Sequence, residues 1–267
     1  MAIEIHPSAV VENGAELGRD VRIGPYATVG GRVRLEDGVV LEGHVAVSGR
    51  TRIGAGTHIY PFASIGSPPQ DMKYAGEDSE LVVGPDNTIR EHVTMNPGTE
   101  GGGMLTSTGR GCLLMIGCHV AHDCRIADHV ILVNNATLGG HVEIHDHAIV
   151  GGLSAVHQFV RIGRHAMVGG MTGVENDVIP YGSVIGNRAR LSGLNIVGLK
   201  RHGFGREQIH ALRGAFRLLF AEKGTFQDRL SDVAHDFSDS PEVMQIVEFI
   251  RADSSRAICQ PTSDSDD

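Results

Sequence analysis

From Ile5 to Gly66 an apolar residue recurs every sixth position: Ile5, Val11, Leu17, Ile23, Val29, Leu35, Leu41, Val47, Ile53, Ile59 and Ile65. Four residues after each, as far as Ile59, stands a small or β-branched residue: Ala9, Ala15, Val21, Ala27, Val33, Val39, Val45, Thr51, Thr57 and Ala63. Gly, Asn, Asp and Pro fill much of the space between. An unbroken period of six fits neither a helix nor a plain alternating strand, and it is the signature of a hexapeptide β-solenoid. Each hexapeptide predicts a short strand and a turn. Three of them close one triangular coil, so residues eighteen apart stack in register. The opener points into the prism and the small residue fills the space beside a corner. Gly and Asn are expected to supply the positive φ of the corners, and stacked parallel strands satisfy one another's backbone groups.

The pattern breaks after Gly66. Ser67–Glu80 has no six-fold repeat and reads as an ejected loop, which is more often functional than idle. The repeat resumes at Val83, Ile89 and Met95. A second excursion, Asn96–Arg110, is rich in Gly and Thr. A second clean run follows, opened by Leu114, Val120, Ile126, Leu132, Leu138, Ile144, Val150, Val156, Ile162, Val168 and Val174. It fades between Pro180 and Arg190. Apolar Ile209, Leu212, Phe216, Leu219 and Phe220 then fall at helical spacing. Phe226–Asp236 and Pro241–Ala252 predict two more helices, the last with Ser240 as N-cap and Pro241 at its first position. The expected organisation is a β-prism over residues 1–190, a helical cap over 191–252, and a disordered acidic tail over 253–267.

Composition narrows the class. The net charge of −9 argues against nucleic acid as a partner. No apolar run is long enough to span a membrane, and the repeat begins at once, leaving no room for a signal peptide; a cytoplasmic protein is expected. Cys112, Cys118, Cys124 and Cys259 suggest no disulfide framework, and Cys118 and Cys124, six apart, read as small core fillers.

The fifteen histidines call for an explanation. On the eighteen-residue ruler, Val120, Leu138 and Val156 open three stacked hexapeptides. His122, His141, His157 and Gln158 then fall along one edge, with Gly140 over His122 and Gln158 over Gly140. Adjacent strands are ~4.8 Å apart, so these side chains can share a small site. His122 is followed by Asp123, and a carboxylate that fixes an imidazole tautomer suits a general base. Gly140 offers an unobstructed N–H to an oxyanion. A second ladder, His129, His147 and His165, lies on a different face and reads as packing or a subunit contact, with a metal site as the minority reading.

In combination, Asn-Pro-Gly-Thr99 with Gly101–Gly103, His119-Val-Ala-His122-Asp-Cys, Asn134-Asn-Ala-Thr-Leu, Gly151-Gly-Leu-Ser-Ala-Val-His157-Gln-Phe and Gly198-Leu-Lys-Arg201 resemble the UDP-N-acetylglucosamine O-acyltransferases of lipid A biosynthesis. The resemblance runs from about residue 3 to 250. It implies a left-handed parallel β-helix with a C-terminal helical domain, a homotrimer, and active sites between subunits. It implies transfer of a (3R)-3-hydroxyacyl group from acyl carrier protein to the sugar 3-hydroxyl, with no metal or other cofactor. His122 matches the general base, Asp123 its orienting carboxylate and Gly140 the oxyanion donor. His119, His141, His157 and Gln158 match the acceptor pocket. Gln70, Asp71 and Lys73 match residues reaching into the neighbouring subunit's site. Asn195 and Arg201 match groups near the nucleotide and its phosphates, and Gly170 the floor of the acyl pocket. Lys200, Arg201, Arg206, Arg213 and Arg217 put positive charge on the cap, suited to an acidic carrier protein.

Two positions depart from the family pattern. Asn96-Pro97 replaces a basic pair, and Val197 replaces an acidic residue. Both leave open whether the acceptor carries a 3-hydroxyl or a 3-amino group. A zinc-dependent solenoid carbonic anhydrase is the reading from a different class, supported by the histidine content and opposed by the helical cap and two ejected loops.

Overall fold

A computed structural model describes residues 3–261. Each hexapeptide becomes a short strand, mostly of two residues, and a tight turn, and the strands stack in parallel into three sheets of eleven, nine and eight strands among the described residues, the first ending in one antiparallel strand. The first sheet begins at Glu4–Ile5, the second at Val10–Val11 and the third at Glu16–Leu17. The register is the expected eighteen: Ile5 pairs with Ile23, Val11 with Val29 and Leu17 with Leu35. The excursions lengthen the chain without breaking it, since Ile59 pairs with Ile89 and Ile89 with Leu114. The openers from Ile23 onward are buried in one continuous core, each contributing roughly 1.5–3 kcal/mol. Cys112, Cys118 and Cys124 are buried core fillers, and burial pushes the Cys124 thiol up to about 12.

The excursions are tighter than the sequence pattern predicts. The first ends at Ser79, because Glu80–Val83 is already a strand. The second ends at Met104, because Leu105–Thr108 pairs in parallel with Glu80–Val83.

Gly supplies many of the corners, as at Gly14, Gly38, Gly56 and Gly117, and Asn135 supplies one, but other residue types share the task. Left-handed φ values occur at His44, His92, His129, His141, His147 and His165, and at Tyr26, Phe62 and Phe159. Histidine is among the residues that tolerate this region. Where rings occupy the same corner of successive coils they stack: His129, His147 and His165 lie 4.9 and 4.8 Å apart, centroid to centroid. Much of the histidine content is therefore corner architecture.

After an antiparallel hairpin, Gly182–Ile185 with Arg190–Leu194, the cap consists of helices α1 (Ile196–Arg201), α2 (Arg206–Leu219), α3 (Phe226–Asp236) and α4 (Pro241–Arg251). The short α1 was not legible as a helix. Pro241 stands at the start of α4, but the Ser240 side chain makes no capping bond.

The tail expected to be disordered from residue 253 is instead ordered through Pro261. Asp177 draws it back: the Asp177 N–H donates to Ala257 O at 2.8 Å, the Cys259 N–H to Asp177 O at 2.8 Å, and the Ser254 hydroxyl to the Asp177 carboxylate at 2.7 Å. Asp177 is fully buried and also pairs with Arg161, so the tail completes the shell of a buried charge. Residues 262–267 of the expected tail lie outside the described residues.

The His129–His147–His165 ladder joins the two domains. His202, at the C-cap of α1, lies 4.8 Å from both His147 and His165, and Phe204 and Tyr181 close over His165. His165 is 7% exposed; burial first, and then the neighbouring His147, His202 and Arg164, lowers its pKa to about 4. The unfolded chain binds this proton near 6.5. Stability should therefore fall as pH drops from 6.5 towards 4, by about 3 kcal/mol from this residue. Urea unfolding between pH 7.5 and 4.5 checks this. His165→Phe, which keeps the stack, should flatten the acid slope; an unchanged slope would refute the assignment.

Candidate active site

The edge between the second and third sheets gathers the catalytic candidates. The strand His119–Val120 ends the second sheet at this level and Arg125–Ile126 begins the third. Between them Asp123 takes the corner with φ +60°, and His141 and Phe159 take the same corner in the next two coils. His122 therefore stands one residue before the corner, and its Nδ1 lies 2.8 Å from Asp123 Oδ2. An ionised carboxylate only accepts, so the imidazole donates from Nδ1 and its Nε2 lone pair is free. The Asp123 side chain has no exposure and that of His122 only 12%.

Gly140 lies against the His122 ring, as the ruler predicted. A Cβ at position 140 would sit 2.5 Å from His122 Cε1. The N–H groups on either side are used by the coil: Gly139 donates to Val156 O and His141 to His122 O. The Gly140 N–H has no backbone partner among the described residues. His141 crosses the His122 ring edge-on at 5.0 Å and stacks on Phe159 at 4.3 Å. Burial lowers its pKa, with Asp123 and Asp71 opposing. His119 is held by the Thr94 hydroxyl at 2.7 Å; burial first, and then His122, lowers its pKa.

The second excursion supplies what the repeat cannot. Thr99 donates its N–H to Asp123 Oδ1 at 2.9 Å and its hydroxyl to Oδ2 at 2.6 Å. The Asp123 N–H donates to Thr106 Oγ1 at 2.7 Å. Gly102 lies so close that its Cβ would fall 1.9 Å from Asp123 Cγ. Asn96, at the site of one family departure, is buried and donates to the carbonyls of Ser67 and Pro68, tying the feet of both excursions together.

The remaining candidates are spread around the prism. Asp71 acts on His141 of its own chain, so the first excursion faces the histidine edge within a single subunit. Lys73 and Gln70 are exposed near it. His157 and Gln158 are exposed and held by Arg256 of the tail, whose Nη2 donates to His157 Nδ1 at 2.7 Å and Nε to Gln158 O at 3.0 Å. Gly170 sits on the edge between the first and second sheets, beside exposed Met171 and Leu153. Asn195 serves the architecture, capping α1 through the Gly198 N–H and donating to His165 O at 2.9 Å. Arg201 is exposed in the last turn of α1. Within one chain, Gly170, Asn195 and Arg201 do not meet His122.

Among the described residues, His122, Asp123 and His141 form the only group whose donor atoms gather closely enough for a metal ion, within 4.8 Å. The ladder histidines do not gather in this way. In the His122 group, Asp123 Oδ2 already accepts from both His122 and Thr99.

Comparison with known proteins gives this arrangement its context. A family model described as UDP-N-acetylglucosamine O-acyltransferase, domain 2, matches residues 177–259, and a bacterial transferase hexapeptide model matches residues 106–140. The acyl-[acyl-carrier-protein]–UDP-N-acetylglucosamine O-acyltransferase of Caulobacter vibrioides is 56% identical over 97% of this chain and 98% of its own. The chain belongs to the UDP-N-acetylglucosamine O-acyltransferase family. The enzyme of the same name from Rickettsia canadensis is 51% identical over 96% of this chain and 97% of its own. Among solved structures, UDP-N-acetylglucosamine acyltransferase from Campylobacter jejuni matches with TM-score 0.91 at 37% identity, over 97% of this chain and all of that one. The Arabidopsis acyltransferase matches with TM-score 0.85 at 35% identity, over 96% and 100%. The prism is thus the left-handed parallel β-helix of this acyltransferase family, with its helical C-terminal region.

Thr99, Thr106, Gly102 and Arg256 escaped the sequence reading as contributors to the site. Thr99 and Gly102 were visible only as parts of the family motif, and nothing in their spacing ties them to Asp123. Gly140→Ala would drive a methyl group into the His122 ring. Its transfer rate should fall by on the order of 10²-fold with the fold retained, as steady-state kinetics beside circular dichroism would show; unchanged kinetics would remove Gly140 from the site.

Proposed function

We propose that this acyltransferase moves a (3R)-3-hydroxyacyl group from acyl carrier protein to the 3-hydroxyl of UDP-N-acetylglucosamine, the first step of lipid A biosynthesis. One observation carries the mechanism: the His122–Asp123 pair is set against Gly140. A sugar hydroxyl is a poor nucleophile until its proton is removed. His122 Nε2 accepts that proton as the oxygen attacks the thioester carbonyl. Asp123 holds the Nδ1 proton and stabilises the imidazolium that forms. The carbonyl oxygen becomes an oxyanion facing the Gly140 N–H. The intermediate then collapses to the ester and expels the carrier thiol, which takes its proton from His122. The step uses no metal and no covalent enzyme intermediate.

The working unit in this reading is a homotrimer. The support lies in the distribution of candidates: His122, Gly170 and Asn195 stand on three different edges of the prism, and neighbouring copies are needed to bring unlike edges together. Exposed Lys200, Arg201, Arg206, Arg213 and Arg217 form the basic face offered to an acidic carrier protein. No helix among the described residues is long and apolar enough to cross a membrane. The reaction in this reading is cytoplasmic. Val197, exposed one turn before Arg201, and Asn96, spent on the loop feet, keep a second acceptor in view. A 3-amino sugar would give an amide and lean less on His122.

Mass spectrometry of product decides between the two. Purified protein receives 3-hydroxyacyl carrier proteins of several lengths, with UDP-N-acetylglucosamine or its 3-amino analogue. An ester is expected, and His122→Ala should lower its rate by roughly 10²–10⁴-fold. Amide alone would change the acceptor, and no transfer from any donor would overturn the reading.

A further inference from the structure

The Asp123 carboxylate stands close to two imidazoles. Asp123 Oδ2 lies 2.8 Å from His122 Nδ1 and 4.0 Å from His141 Nε2, so a second imidazole stands just beyond hydrogen-bond reach of the oxygen that serves the first. Asp123 cannot settle the choice from its own backbone, which is fixed at a left-handed corner with its N–H held by Thr106. A carboxylate free to turn about its last bond would serve either ring. Thr99 removes that freedom. Its N–H takes Oδ1 and its hydroxyl takes Oδ2, a two-point hold on both oxygens of a side chain with no exposure.

The loop carrying Thr99 is itself braced. Thr99 is 5% exposed. Its carbonyl accepts from the N–H groups of Gly102 at 3.1 Å and Met104 at 3.0 Å, closing the short 3-10 turn Glu100–Gly102. The Gly98 N–H donates to Glu80 O, and Asn96 holds the carbonyls of Ser67 and Pro68. Gly102 lies flat on the carboxylate, where a Cβ would overlap it. This is a bracket anchored at both ends.

We propose that Thr99 is a positioning residue for the acyl transfer: by holding both oxygens of the Asp123 carboxylate, it commits Oδ2 to the His122 Nδ1–H and so keeps His122 Nε2 free as the base. The role rests on His122 being the base, and the Thr99 hydroxyl acts only through Asp123. The hydroxyl fills the second lone-pair direction of Oδ2, and the N–H stops the carboxylate from turning towards His141.

Thr99→Val keeps the shape and the N–H but loses the hydroxyl, while Thr99→Ser keeps both donors. Steady-state kinetics are read beside proton–nitrogen NMR of the histidine side chains. In Thr99→Val, kcat should fall on the order of tenfold to a hundredfold while the acceptor KM stays within about twofold, as expected of a misplaced catalytic group. The hydrogen-bonded Nδ1–H resonance of His122 should weaken or move in Thr99→Val. Thr99→Ser should restore both. Wild-type kinetics and an unmoved resonance in Thr99→Val would overturn the proposal, as would a kcat loss that Thr99→Ser shares in full. Should Thr99→Val fail to fold by circular dichroism, Thr99→Ala carries the same comparison. If the wild-type protein transfers nothing, the functional reading fails, and the NMR comparison alone decides whether Thr99 sets the His122–Asp123 pair.

Discussion

The structure depends on parallel backbone pairing at a fixed step of eighteen residues. Each strand is only two residues long in most coils and could not persist alone. It persists because the strands above and below satisfy its N–H and C=O groups and because its inward opener joins a continuous apolar column. That constraint is rigid in one direction. A residue cannot move along the prism axis without breaking pairs in two coils, so side chains on one edge keep a separation of about one strand spacing, ~4.8 Å. An edge of this kind is a natural place for groups that must not drift apart.

The corners turn that rigidity into chemistry. A left-handed residue at each corner points its side chain outward, and the next coil places another directly above it. Along parts of each edge the result is a stack of rings, such as Tyr26, His44, Phe62 and His92, spaced by 5.0, 5.0 and 5.2 Å. At the His122 level the same geometry gives an acid, two imidazoles and a glycine N–H instead. The difference lies in residue choice at three positions: Asp123 at a corner, His122 just before it, and Gly140 leaving room for the ring. The groups proposed as base, orienting carboxylate and oxyanion donor thus come from adjacent coils of one edge, preorganised by the pairing that holds the fold together.

This is also why the sequence was legible in some places and silent in others. His122, Gly140, His141 and Gln158 could be placed on one edge by counting, because the period of six runs unbroken from Leu114 to Val174. Counting also found the His129, His147 and His165 ladder, but not its purpose, because His202 arrives from outside the repeat. Thr99 and Arg256 were silent for the same reason. Both belong to segments that leave the period, and their partners Asp123 and His157 are set by how those segments fold back. The tail misled most. Its polar, acidic composition resembles disorder, yet the Ser254 hydroxyl joins Arg161 on the buried Asp177 carboxylate, and the returning backbone pairs with the Asp177 N–H and C=O through Ala257 and Cys259. Composition cannot register a demand that arises from a buried charge elsewhere. Asn195, matched to the nucleotide by resemblance, is in addition a helix cap whose amide holds a corner carbonyl, a role the spacing does not announce.

Division of labour between repeat and excursion follows from these contrasts. The repeat fixes distances along an edge but offers only one outward side chain per corner, which is too few to satisfy a buried carboxylate. An excursion can supply several donors at one point because its backbone is free of the ladder. Asp123 needs three partners, and two of the donors come from a single residue of the second excursion. Asn96 then makes the two excursions one body, so the loop near His141 and the loop over Asp123 cannot shift independently. Replacement of a basic pair by Asn96-Pro97 therefore exchanges charge at the site for a tie between loops.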